Sequence, residues 1–110
     1  MKIENIFSVK DKIVLITGGS RGIGEMIASG FVANGAKVYI TARSKEVLTE
    51  TAEKLSNKYK GKCIAIPSDL SNLKGIEIFA EEIQSKEKSL DVLINNAGAA
   101  WGGSFEEFPE

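Results

Sequence analysis

IVLITGGSRGIG, residues 13–24, joins a β-branched apolar run to a cluster of glycines. Ile13 to Ile16 predict a buried strand, and the glycines mark the place where the strand ends and a helix begins. Glycine lets the backbone turn sharply and approach a ligand closely, while the free N–H groups at a helix N-terminus attract an anion. We therefore predict a phosphate-binding turn here, with a tight turn that binds no ligand as the alternative.

The spacing of the glycines separates this turn from other phosphate-binding turns. Gly19 and Gly24 stand as far apart as the two glycines of a P-loop, but Glu25-Met26 follow where that loop needs Lys and then Ser or Thr. The common dinucleotide pattern G-x-G-x-x-G is also absent. Instead, Thr17 to Gly24 fit the pattern Thr-Gly-x-x-x-Gly-x-Gly.

The composition limits the classes of function. The chain has 110 residues, the length of a single domain, and its 14 basic and 15 acidic residues leave a net charge of −1. This balance gives no electrostatic reason to expect nucleic acid or an anionic membrane surface as a partner. Cys63 is the only cysteine and there is no histidine, so an internal disulfide and a Cys/His metal site are excluded, and Cys63 is predicted to be a packed thiol. No apolar run reaches the ~18 residues of a membrane span and the N-terminus has no signal-peptide pattern, so we expect a cytoplasmic location.

Apolar runs and helical patterns alternate along the chain, which predicts an α/β fold with a parallel sheet. Strands are predicted at residues 13–16, 36–40, 64–66 and 90–94, with a helix between each strand and the next. Because βαβ crossovers are right-handed, the predicted strand order is 3-2-1-4, which is half of a Rossmann-type doubly wound sheet. The whole chain is therefore predicted to be the N-terminal part of one such domain. A ligand crevice is expected beyond the carboxyl ends of strands one and four, where the strand order reverses.

Each predicted helix has an apolar face that should pack on the sheet. For the first helix, the spacing selects Ile23, Met26, Ile27, Gly30 and Phe31. For the second helix, which Ser44 caps, the face comprises Leu48, Thr51, Ala52 and Leu55. For the third helix, which starts at Ser71, it comprises Ile76, Phe79, Ala80 and Ile83.

The end of the second predicted strand bears on the choice of cofactor. NAD-binding sheets place an Asp or Glu there, about twenty residues past the glycines, to bind the ribose 2′-hydroxyl. The sequence has Thr-Ala-Arg-Ser at residues 41–44, with no carboxylate. The Arg43 guanidinium can instead bind a 2′-phosphate through charge-assisted hydrogen bonds, with Arg21 of the glycine turn beside it. These residues predict NADP rather than NAD, unless both arginines are ordinary solvated surface residues.

Two further motifs stand where the predicted sheet places strand ends. Ser68-Asp69-Leu70 follow the third strand, and NNAG, residues 95–98, follows the fourth. Each is an ordinary turn sequence when taken alone. At these positions relative to the glycine turn, however, they make the chain resemble the short-chain dehydrogenase/reductase family over residues 8–110.

The resemblance implies which residues bind the cofactor, NADP(H). The glycine turn would hold the pyrophosphate, the arginines the 2′-phosphate, and the residues after strands three and four the adenosine, with Asp69 against the adenine amino group. The candidate cofactor-binding residues are Gly18, Gly19, Ser20, Arg21, Gly22, Ile23, Gly24, Arg43, Ser44, Asp69, Leu70, Asn96, Ala97 and Gly98.

The resemblance also implies hydride transfer between a nicotinamide and a small carbonyl or alcohol substrate, in a protein that forms a homo-oligomer at full length. Family members are roughly twice as long, and their second half carries the catalytic Ser and a Tyr-x-x-x-Lys pair. Tyr39 has Arg43 at that spacing and Tyr59 has Cys63, so we expect this chain to hold no catalytic residue and to be inactive alone. Residues 99–105 are similar to members that reduce 3-oxoacyl thioesters.

Truncation is the interpretation we favour for the missing second half. A partner chain that supplies it, a non-catalytic NADP-binding module and an unstable remnant are the alternatives. In a sheet of this half alone, the fourth strand would be an edge, with the apolar residues 92–94 beside unpaired backbone groups, so we expect the chain to self-associate.

Overall fold

The computed structural model of the protein describes residues 8–96. Strands and helices alternate along this part of the chain, as the sequence predicts. The elements are β1 (Ile13–Thr17), α1 (Gly22–Ala33), β2 (Lys37–Thr41), α2 (Lys45–Tyr59), β3 (Lys62–Ala65), α3 (Leu73–Lys86) and β4 (Val92–Asn95). None of these helices is long and apolar enough to cross a membrane.

The four strands form one parallel sheet in the order β3-β2-β1-β4, which confirms the predicted topology. The register sets Thr17, the last residue of β1, opposite both Thr41 of β2 and Asn95 of β4. β1, β2 and β4 therefore end in line and β3 ends one residue earlier, so the segments that follow the strands leave the sheet at one side. We call this side the carboxyl edge.

Successive side chains of each strand point to opposite faces of the sheet, so the core is divided into two apolar clusters. One cluster includes Val14 and Ile16 of β1 and packs against α1 and α2. The other includes Leu15 and Tyr39 and packs against Phe79 of α3. Helices on both faces are what a doubly wound sheet requires.

The inward face of α1 differs from the predicted one. Gly24, Ala28 and Val32 are the buried residues of this helix, whereas Ile23 is 64% exposed and Met26 is 68% exposed. Ile27 and Phe31 are half-buried beside the core, and the Gly30 position is exposed. The periodicity of the large apolar residues was misleading because small residues allow α1 to lie close to the sheet.

The predicted inward face is confirmed for α2 and is partly wrong for α3. In α2, the predicted Leu48, Thr51, Ala52 and Leu55 are the buried residues, and Ser44 is the N-cap. In α3, Phe79 and Ile83 are buried, but Ile76 is 44% exposed and Ala80 is exposed as well. The helix begins at Leu73 rather than at Ser71, because the Asn72 side chain accepts the Gly75 N–H at 2.7 Å and so caps it.

Candidate functional site

The glycine loop, residues 18–24, connects β1 to α1 at the carboxyl edge. Gly18 and Gly22 have φ angles of +71° and +56°, a region that side-chain-bearing residues rarely adopt. The chain reverses direction at these two residues and enters α1 with Arg21 as the N-cap. Arg21 is extended, with φ −149°, and its side chain makes no capping hydrogen bond. The loop therefore leaves the first turn of α1 without a side-chain cap.

The end of the loop packs directly on its beginning. A Cβ placed on Gly24 would lie 2.1 Å from the carbonyl oxygen of Gly18 and 2.8 Å from Nδ2 of Asn96. Only glycine fits at this position, so the last glycine of the motif serves the close approach of α1 to β1.

Hydrogen bonds from three neighbouring elements hold the loop. The Gly18 N–H donates to the carbonyl of Thr41 at 2.7 Å, and Nδ2 of Asn96 donates to the carbonyl of Gly18 at 3.2 Å. Oγ1 of Thr51, in α2, donates to the carbonyl of Ser20 at 3.0 Å. The loop backbone is therefore fixed by contacts with the ends of β2 and β4 and with α2.

The segment after β2 lies beside the glycine loop on the same edge. Arg43 and Ser44 are exposed, and residues 41–44 contain no carboxylate. The Ser44 side chain faces the first turn of α2, with its Oγ 3.5 Å from the Val47 nitrogen. A guanidinium and a helix N-terminus are thus adjacent here, and both favour an anion.

Asp69 follows β3 and carries a stable negative charge. Its Oδ1 accepts hydrogen bonds from Oγ of Ser71 at 2.6 Å and from the Ser71 N–H at 3.0 Å. These hydrogen bonds, together with a smaller contribution from the positive charge of Arg43, lower the pKa of Asp69 below its ordinary value. Arg43 and Asp69 thus follow neighbouring strands, and their charges interact weakly.

The carboxyl ends of β2 and β3 are joined by a pair of side-chain hydroxyls, a contact that the sequence did not predict. Oγ1 of Thr41 and Oγ of Ser68 share a hydrogen bond, and the Ser68 N–H donates to the carbonyl of Ala42 at 3.0 Å. These contacts extend the pairing of the two strands past the end of β3. Leu70, two residues after Ser68, packs against the apolar cluster under α3.

The structure places the described candidate residues along the carboxyl edge. Those from 18 to 24 follow β1, Arg43 and Ser44 follow β2, and Asp69 and Leu70 follow β3. Asn96 follows β4 and contacts the glycine loop. Ala97 and Gly98 lie outside the described residues.

The two tyrosines are engaged away from this edge. The Tyr39 hydroxyl donates to Glu87 at 2.6 Å, near the start of β2. The Tyr59 hydroxyl accepts a hydrogen bond from Ser29 at 2.9 Å, at the last residue of α2. Both hydroxyls are therefore hydrogen-bonded to side chains outside the candidate set.

The model of the short chain dehydrogenase family matches residues 12–110 of the chain. The chain therefore belongs to the short-chain dehydrogenase family, as its glycine, aspartate and asparagine motifs indicate.

Two individual proteins are similar in sequence to nearly the whole chain. A rhamnolipid-biosynthesis 3-oxoacyl-[acyl-carrier-protein] reductase from Pseudomonas aeruginosa is 47% identical over 103 residues, which make up 94% of this chain and 40% of that protein. The protein 11-beta-hydroxysteroid dehydrogenase-like 2 from Arabidopsis thaliana is 41% identical over 103 residues, 94% of this chain and 33% of that protein.

Solved structures with the same fold include two nicotinamide-cofactor complexes. The Pseudomonas aeruginosa RhlG/NADP active-site complex matches with a TM-score of 0.75 and 47% identity, over 79% of this chain and 33% of that one. L-Sorbose reductase from Gluconobacter frateurii, complexed with NADPH and L-sorbose, matches with a TM-score of 0.78 and 34% identity, over 83% and 35%. The chain thus covers 33–40% of the length of these relatives.

Proposed function

We propose that the chain is the cofactor-binding part of an NADP(H)-dependent oxidoreductase of the short-chain family. The observation that carries the choice of cofactor is the end of β2, where Arg43 and the N-terminus of α2 stand in place of a carboxylate. A carboxylate there would repel a 2′-phosphate, whereas a guanidinium pairs with it. The dinucleotide, when bound, supplies or accepts the hydride.

The geometry of the glycine loop supports a pyrophosphate as its ligand. Gly18 and Gly22 turn the chain without side chains that would fill the space, and the first turn of α1 points its free N–H groups out of the helix. The exposed Arg21 adds a positive charge at the same place. We assign the loop, residues 18–24, to the pyrophosphate, and Arg21, Arg43 and Ser44 to the 2′-phosphate.

The adenosine is assigned to the segments that follow β3 and β4. Asp69 is assigned to the adenine amino group, because hydrogen bonds from Ser71 to its Oδ1 lower its pKa and Oδ2 remains as a charged acceptor. Leu70, which is half-buried against the core, is assigned to the adenosine beside Asp69, and Asn96 holds the loop on the other side. Ala97 and Gly98 complete the proposed set.

For the substrate we propose a carbonyl or alcohol compound, with 3-oxoacyl thioesters as the preferred class. The support comes from the Pseudomonas reductase, which is 47% identical and whose name specifies a 3-oxoacyl-[acyl-carrier-protein]. The chain alone is proposed to bind the cofactor without turnover, because its two tyrosines are held by Glu87 and Ser29 rather than facing the crevice. A 3-oxoacyl thioester should therefore not accelerate oxidation of NADPH by the chain alone.

Titration with NADPH and NADH tests the proposed cofactor. We expect NADPH to bind at least about tenfold more tightly, and R43A to remove most of that difference by weakening NADPH alone, since each charged hydrogen bond contributes about 1.5–3 kcal/mol. K88A is the matched control, because it removes one positive charge at an exposed site that follows α3. Equal affinities for the two nucleotides in the parent chain would overturn the choice of NADP.

A further inference from the structure

Thr51 lies in the second turn of α2, outside every motif of the candidate site. Its hydroxyl makes a hydrogen bond outside its own helix. A threonine inside a helix usually returns its hydroxyl to a carbonyl of the preceding turn. Thr51 instead donates to the carbonyl of Ser20 at 3.0 Å, and the residue is only 5% exposed. The contact is thus a partly buried hydrogen bond between α2 and the glycine loop.

This hydrogen bond fixes the orientation of one peptide group in the loop. In a trans peptide the C=O and N–H point in opposite directions, so holding the Ser20 carbonyl toward α2 turns the Arg21 N–H away from α2. Packing restrains the loop at Gly19, where a Cβ would lie 2.6 Å from the Ile40 side chain, but not at Gly22, where a Cβ would meet no atom within 4 Å. A glycine with open space around it samples several conformations at little cost. Hydrogen bonds must therefore restrict this part of the loop.

We propose that Thr51 is a positioning residue for cofactor binding, which sets the glycine loop in the conformation that receives the pyrophosphate. This inference rests on the proposed function. The N-cap of the same helix is Ser44, which follows Arg43, where the 2′-phosphate is proposed to bind. Through Thr51, α2 connects the two phosphate sites, so the loop and the N-terminus of α2 keep a fixed separation.

The chain offers a matched control in the same helix. At the far end of α2, the Tyr59 hydroxyl accepts a hydrogen bond from Ser29 of α1 at 2.9 Å. Like the Thr51 contact, it is partly buried and joins α2 to the neighbouring segment, but it does not touch the glycine loop. Y59F removes this contact and reports the effect of loosening the interface between α1 and α2 alone.

The test compares the parent chain with T51V, T51S and Y59F in two measurements. T51V keeps the volume and removes the hydroxyl, whereas T51S keeps the hydroxyl. We expect T51V to raise the hydrogen-exchange rates of the loop amides in the free chain and the Kd for NADPH, each by about three- to tenfold, the equivalent of one hydrogen bond. T51S and Y59F should stay within about twofold of the parent in both measurements.

Unchanged loop exchange in T51V, or equal increases in T51V and Y59F, would overturn the inference. If T51V does not fold by circular dichroism, T51A and T51S are compared instead, since they differ by the hydroxyl. A parent chain that binds neither NADPH nor NADP⁺ would refute the proposed function, and the exchange rates in the free chain would still show whether Thr51 orders the loop.

Discussion

Gly24 and Gly30 occupy the same helix, but the space around them differs completely. A Cβ on Gly24 would lie 2.1 Å from the backbone oxygen of Gly18, whereas a Cβ on Gly30 would meet no atom within 4 Å. We expect G24A to destabilise the fold by about 1–3 kcal/mol or more through overpacking, and G30A to stabilise it by about 0.5–1 kcal/mol through helix propensity. Urea unfolding of the two variants measures both changes.

The same two variants should also differ in their affinity for NADPH. G30A should keep the NADPH affinity of the parent, because the exposed residue lies two turns from the loop. G24A should lose it, because α1 can no longer approach Gly18. An increase in stability on G24A would contradict the close contact between α1 and β1.

Cys63 has a core environment that makes its thiol unreactive. The residue is 7% exposed in the cluster between the sheet and α2, and burial raises the pKa of the thiol to about 12. At neutral pH we expect a thiol reagent to label it only through unfolding, so that the rate rises with urea as the unfolded fraction does. Equal labelling rates in native and unfolded chain would contradict this placement.

The elements differ in how far the sequence determined them. The strand order and the inward face of α2 were predicted correctly, because crossover handedness and a wide apolar stripe each allow one arrangement. The face of α1 was not predicted correctly, since Gly24 and Ala28 are too small to stand out in the apolar periodicity although both are buried. Thr51 could not be identified as a loop contact, because a threonine on the apolar face of a helix reads as core.

The N-terminal end of β2 and the C-terminal end of α3 are joined by a charged cluster that predicts a pH dependence. Glu87 accepts a hydrogen bond from Tyr39 and pairs with Lys37 at 2.6 Å. The hydrogen bond from Lys37, and then that from Tyr39, lowers the pKa of Glu87 below its ordinary 4.5. The folded state therefore gains stability from this group above pH 4.5 and loses it as the pH falls below that value.

We expect the difference in urea midpoint between the parent chain and E87Q to be largest at neutral pH and to shrink below pH 4.5. Glutamine keeps an acceptor for the Tyr39 hydroxyl but does not titrate. E81Q, an exposed substitution in the same helix, is the control and should follow the parent at every pH. A difference between the parent and E87Q that is independent of pH would show that the ion pair contributes nothing to stability.

For the whole molecule, the parallel sheet explains why the candidate residues could be placed at one edge from the sequence. All four strands end at the carboxyl edge, so motifs that are distant in sequence, such as the glycine loop and Asn96, meet there through topology alone. The hydrogen bonds within the site were not predictable, because they depend on the positions of backbone carbonyls. Asp69 could be placed on this edge from the sequence, but the hydrogen bonds from Ser71 that lower its pKa could not.

The two outer strands of the described sheet differ in how well they are protected. β3 begins with the charged Lys62, whereas β4 is Val-Leu-Ile-Asn and exposes 63% of Leu93. Within residues 8–96, β4 pairs only with β1, so its other side presents unpaired backbone groups next to an apolar side chain. A further parallel strand, as in a complete doubly wound sheet, would cover this edge.

We therefore expect the chain to self-associate through β4, with an average mass that rises with concentration in sedimentation velocity. L93K should reduce this association, because a lysine on an edge strand disfavours pairing with another chain. I78K is the matched control, since Ile78 is 54% exposed but lies on α3 rather than on β4. A monomer at every concentration, or an equal effect of the two lysines, would mean that β4 is not the associating surface.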